Sequence, residues 1–100
     1  MQEDDQQIVD LLQSSAGMER GFSLLVQTYQ ERLYWQIRKI VGNHADADDV
    51  LQNTFIKVYK GIKNFKGDAQ LHTWLYRIAR NESITFLNKQ KKRNTTDSLE

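Results

Sequence analysis

Between positions 22 and 40 of this 100-residue chain, Phe22, Leu25, Val26, Tyr29, Leu33, Ile37 and Ile40 recur at steps of three and four. That spacing lays one apolar stripe along an α-helix. No proline interrupts this stretch or any other, and glycine occurs only at Gly17, Gly21, Gly42, Gly61 and Gly67. Helices punctuated by a few glycines are therefore the main option open to the chain.

The same reasoning divides the rest. A short helix is predicted from about Asp4 to Ser14, with Ile8, Val9, Leu11 and Leu12 as its apolar stripe. Ser15 to Gly17 breaks it. A second helix runs from about Glu19 to Val41 and ends at Gly42 and Asn43, residues suited to a helix C-terminus. A third starts around Asp46 and buries Val50, Leu51, Thr54, Phe55, Val58, Tyr59 and Ile62. Gly61 and Lys63 to Gln70 read as a loop. A fourth helix runs from about Leu71 to Lys91, burying Leu71, Leu75, Ile78, Ala79, Phe86 and Leu87. No strand alternation appears. The predicted fold is all-α: a compact bundle of three long helices plus a short N-terminal one, over residues 1–93. Residues 94–100 carry no pattern and are expected to be a flexible tail or truncated linker.

Several function classes drop out. With no cysteine, disulfides, thiolate metal sites and a cysteine nucleophile are excluded. His44 and His72 are far apart and neither lies in a ligand-spaced cluster, so no metal or cofactor is expected. Asp48 and Asp49 are adjacent and diverge on a helix, so they form no acid/base pair. No glycine-rich phosphate loop is present. The chain does not read as an enzyme. No apolar run approaches a membrane span, and the cysteine-free composition fits the cytoplasm.

Charge is divided unevenly. Residues 1–50 hold four Lys/Arg and nine Asp/Glu, whereas residues 51–100 hold ten and four. Two surfaces of opposite sign, with two partners, are implied. On the third helix, Asp49, Gln52, Asn53 and Ile56 point away from the core stripe. An apolar residue with a polar, acidic rim suits a basic helical partner. Two plainer readings stand beside it: a lone exposed isoleucine is common, and Asp46, Asp48 and Asp49 are also placed to cap the helix start.

The basic surface centres on the fourth helix. Arg77, Arg80, Lys89, Lys91, Lys92 and Arg93 lie on or just past it, and Lys57, Lys60, Lys63 and Lys66 lead up to it. Helical spacing puts Trp74, Arg77, Asn81 and Asn88 near one outward stripe. Cations bind phosphates, an amide reads a base edge and an indole stacks on a base. The loop from Asn64 to Gln70 holds an aromatic ring, an amide and a carboxylate, a set able to hold an extruded base. Here too a solvated charged face, a core Trp74 and a Phe65 covering a helix end remain open.

The segment Asp46-Ala47-Asp48-Asp49-Val50-Leu51-Gln52-Asn53-Thr54-Phe55-Ile56-Lys57-Val58-Tyr59 resembles the core-binding segment of sigma-70 family transcription initiation factors. Phe65-Lys66-Gly67-Asp68, followed by Thr73-Trp74-Leu75-Tyr76-Arg77-Ile78-Ala79-Arg80-Asn81, resembles the promoter-melting segment of the extracytoplasmic-function (ECF) group. The resemblance implies that the third helix docks on the clamp helices of the largest RNA polymerase subunit through Asp49, Gln52 and Ile56, with Asp48 and Asn53 beside them. It further implies that the loop and fourth helix recognise and melt the −10 promoter element by capturing a base of the non-template strand. Lys57, Phe65 and Asn81 would contact that strand, with Lys60 nearby. Lys66, Gly67, Asp68, Ala69 and Gln70 would shape the base pocket, and Trp74, Arg77 and Arg80 would support opening. An anti-sigma factor is a further expected partner. The alternative is a helical interaction module whose basic helix binds such an acidic partner. Asn53 stands where the family usually has an acid, and Thr85 where an Asp is common. The family's second, −35-reading domain does not follow in this sequence, so the chain is expected to be one domain of a longer protein.

Overall fold

The computed structural model describes residues 2–65 and 70–99, with side chains over 5–65 and 70–93. Among them are four α-helices: α1 (Gln2–Gln13), α2 (Met18–Val41), α3 (His44–Gly61) and α4 (Leu71–Leu99). A short 3-10 turn, Ile62–Asn64, follows α3 directly. No strand occurs among the described residues, and none of their helices is long and apolar enough to cross a membrane.

The core is built from rows of residues spaced by four. Leu25, Tyr29, Leu33, Ile37 and Val41 are buried along α2, and Leu71, Leu75, Ala79 and Ser83 along α4. Ala47, Val50, Thr54 and Val58 fill the facing side of α3. Helix α2 packs against all three others, and α3 and α4 also meet each other. Residues at i and i+4 lie one above the other, so each row forms a ridge that seats between neighbouring helices.

Several details differ from expectation. Helix α3 begins at His44, because its cap is Asn43 rather than the aspartates. Asn43 is extended (φ −143°, ψ 163°) and its Oδ1 accepts the Asp46 backbone N–H at 2.9 Å, while Nδ2 donates to Asp46 Oδ2 at 2.7 Å. Asp48 and Asp49 are exposed beyond that capped turn. The break before it is sharp because Gly42 takes φ +94° and returns its N–H to Arg38 O at 2.9 Å. Gly61 closes α3 instead of joining the loop. Tyr59 is 47% exposed rather than core, since it lies one step off the 50-54-58 row. Ser83 is buried, although its side chain is polar; its Oγ donates to Ala79 O at 2.8 Å within the same helix. Helix α4 continues past the expected Lys91 to Leu99.

Candidate nucleic-acid interface

Two faces carry the expected functional residues. On α3, Asp48, Asp49, Gln52, Asn53 and Ile56 are all exposed, Ile56 by 52%. Ile56 is not alone. Tyr59, at i+3 on the same side, is exposed too, and its ring meets Phe22 of α2 edge-on at 5.0 Å. Phe22 also meets the half-buried Phe55 edge-on at 6.5 Å. Ile56 and Tyr59 thus expose apolar surface on one side of α3, with Tyr59 resting against Phe22 of α2 and Asp48, Asp49 and Gln52 on the same helix. Helical periodicity places Tyr59 inside and so hides this surface.

The second face lies on α4 and the turn before it. Gln70, Arg77, Arg80, Asn81 and Asn88 are exposed, as are Lys57 and Lys60 on α3. Trp74 departs from the outward stripe. It is half-buried, its ring centroid 5.0 Å from that of Phe65 at a 40° tilt. A Cβ at Gly61 would lie 3.4 Å from Trp74 Cζ2, ordinary contact distance, so the indole rests over the end of α3. Phe65 and Trp74 together form an aromatic wall beside the loop. Lys66, Gly67, Asp68 and Ala69 lie outside the described residues.

Lys57 has a partner that helical periodicity does not reveal. Its Nζ lies 2.7 Å from Glu82 Oε2, with the lysine side chain 63% exposed and the glutamate only 14%. A sequence signal existed: between residues 51 and 93 the only carboxylates are Asp68 and Glu82, so each stands out in a basic stretch.

Asp5 of α1 lies between α2 and the base of α4. Tyr29 Oη donates to Asp5 Oδ1, and Asp5 Oδ2 lies 3.6 Å from His72 Nδ1. Burial, then the hydrogen bond to Asp5 and its charge, push the Tyr29 phenol well above the ordinary tyrosine range. Among the described residues, no cluster of His, Cys, Asp and Glu is arranged to hold a metal ion.

The family described as Sigma-70 region 2 matches residues 25–93, which take in α3 and most of α2 and α4. The chain belongs to the sigma-70 family. The RNA polymerase sigma-H factor of Pseudomonas aeruginosa is 44% identical over 86 residues, covering 86% of this chain and 44% of that protein. The ECF RNA polymerase sigma-E factor of Haemophilus influenzae is 36% identical over 95 residues, covering 95% of this chain and 49% of its own. The chain therefore spans about half the length of the curated relatives it matches. An engineered region 2 of sigmaE, solved by NMR in complex with GTAAAA, superposes with a TM-score of 0.78 at 36% identity. That match covers 89% of this chain and 90% of the other. The all-α region 2 architecture expected from the sequence is thus the fold observed.

Proposed function

We propose that this chain is the region 2 domain of an ECF-type initiation factor, binding core RNA polymerase through α3 and reading the −10 element through α4. The observation that carries the proposal is the division of the bundle into two unlike faces, on a fold shared with a region 2 solved with GTAAAA. The α3 face joins the exposed Ile56 and Tyr59 to Asp48, Asp49 and Gln52, which suits basic clamp helices of the largest polymerase subunit. Asn53 contributes polarity there without charge. The α4 face offers Arg77 and Arg80 for phosphates and Asn81 for a base edge, with Lys57 and Lys60 alongside on α3. Phe65 supplies a ring against which an extruded base can stack, with Trp74 behind it. Lys66 to Gln70 are assigned to the same base by the family resemblance alone. Extrusion costs a few kcal/mol, which stacking and hydrogen bonding offset.

The reading assigns no catalytic step, metal or cofactor, and its setting is the cytoplasm. An anti-sigma factor that covered the Ile56 and Tyr59 patch would compete with polymerase for it. The test is a fluorescence titration of a single strand containing GTAAAA against a scrambled strand, with and without core polymerase. Tighter binding of the first strand, strengthened by polymerase, is expected. Equal binding of both strands in every case would sink the reading.

A further inference from the structure

The pairing of Lys57 with Glu82 sits at the seam of α3 and α4, with Asn81 the neighbouring residue on α4. A carboxylate only 14% exposed needs a partner, and Lys57 Nζ at 2.7 Å is the only one Glu82 has among the described residues. A lysine ammonium has three donors, so engagement with Glu82 leaves two for another ligand. An unpaired lysine on its flexible stem would act as a mobile point charge, attracting any phosphate regardless of sequence.

We propose that Glu82 is a specificity-determining residue for strand reading, acting by positioning Lys57. Its carboxylate offsets the lysine's charge, which lowers sequence-blind attraction. It also fixes the ammonium at the α3–α4 seam, so that only a strand in the right register meets its remaining donors. Moving Lys57 out to follow a misplaced phosphate would strand the Glu82 carboxylate, and that penalty opposes wrong registers. The proposal rests on the reading that a promoter strand passes Lys57 and Asn81.

The test uses the full chain, with Glu82→Gln as the near-isosteric variant and circular dichroism to check the fold. In Glu82→Gln, affinity for the scrambled strand should rise, and the salt slope should steepen by about 0.7, the increment for one added single-strand phosphate contact. The preference for the GTAAAA strand should fall by about threefold or more, because that strand already meets Lys57 in the unmodified protein and only the scrambled strand gains the contact. In a Lys57→Met background the same change at Glu82 should have little effect on either quantity. Glu82→Asp, which keeps the charge on a shorter arm, should lower the preference while leaving the salt slope unchanged. A readout independent of DNA is the NMR signal of the Lys57 ammonium, expected to be slowed in exchange in the unmodified protein and lost in Glu82→Gln.

Unchanged salt slope and unchanged preference in Glu82→Gln would overturn the proposal. Equal effects in the presence and absence of Lys57 would do so too, since Glu82 would then act on DNA directly. Equal binding of both strands by the unmodified protein would instead remove promoter reading itself and the specificity claim with it. The two failures are therefore separable.

Discussion

Tyr29, in the middle of α2, donates its phenolic proton to Asp5 near the start of α1. The second oxygen of the same carboxylate lies 3.6 Å from His72 in the first turn of α4. One acid of α1 thus bonds to α2 and lies beside the first turn of α4, and the Arg32 guanidinium lies 5.6 Å from the Tyr29 ring centroid. Tyr29→Phe should lower stability by about 1.5–3 kcal/mol, the range for a hydrogen bond to a charged group. Urea unfolding monitored by circular dichroism measures this.

The same phenol sets an alkaline limit. Its folded-state pKa is raised by burial first and by Asp5 next, while an unfolded tyrosine ionises near 10.0. Below that pH both states keep the proton and the contribution is intact. Above it the unfolded state releases the proton first, so stability declines as pH rises. Comparing urea midpoints at neutral pH and about pH 11 should show a steeper loss in the unmodified protein than in Tyr29→Phe. Equal losses would mean that Tyr29 is not the responsible group.

Gly21 of α2 packs directly against Leu11 and Leu12 of α1. A Cβ there would lie 3.0 Å from Leu11 Cβ, Leu12 Cγ and Leu12 N, and a backbone atom cannot yield as a side-chain tip can. Gly21→Ala should cost about 1–3 kcal/mol by overpacking and should speed amide exchange in α1 before the rest of the bundle. Gly42→Ala is the contrasting case. Nothing lies within 4 Å of the added methyl, but φ is +94°. Its cost is backbone strain of about 1–2 kcal/mol, and α1 exchange should not change selectively.

The α3 face can be altered without unfolding the bundle. Asp49 and Ile56 are both exposed, so Asp49→Lys and Ile56→Ser should each change stability by no more than about 0.5 kcal/mol. Together they should weaken association with core polymerase by about tenfold or more, equivalent to about 1.4 kcal/mol. Fluorescence anisotropy of labelled protein with core polymerase measures this. Unaltered association would remove α3 from the docking surface.

The two tryptophans offer a built-in probe. Trp35 is 51% exposed, whereas Trp74 packs against Phe65. In Trp35→Phe, emission comes from Trp74 alone, and binding of the GTAAAA strand should quench it as the adjoining aromatic wall is covered. Phe65→Ala should weaken strand binding by about 1–3 kcal/mol, the value of one base-stacking contact. Binding unchanged by Phe65→Ala would show that the ring serves only to cover Trp74.

The long rows of core residues were legible in the sequence because burial and helical period coincide there, from Leu25 to Ile37 and from Leu71 to Ala79. Ser83 was not legible. A hydroxyl satisfied by the carbonyl of its own preceding turn packs like a small apolar group, as Thr54 also does through Val50 O at 2.7 Å. The start of α3 was misplaced because three aspartates suggested capping, while Asn43 does the capping and Asp46 bonds back to it. Of the site, the outward residues of α3 and α4 followed from angular position alone. The Lys57–Glu82 pair and the retreat of Trp74 behind Phe65 depend on contacts between segments distant in sequence, which a helical wheel does not contain.

Ile56 and Lys57 are consecutive residues of α3, directed about 100° apart around its axis. A polymerase surface seated on the first and a promoter strand passing the second would adjoin two sides of one cylinder, about 10 Å across with its side chains. Such a cylinder works as a gauge block. Any error in the angle at which α3 is seated would reappear, undiminished, as an error in where the strand runs.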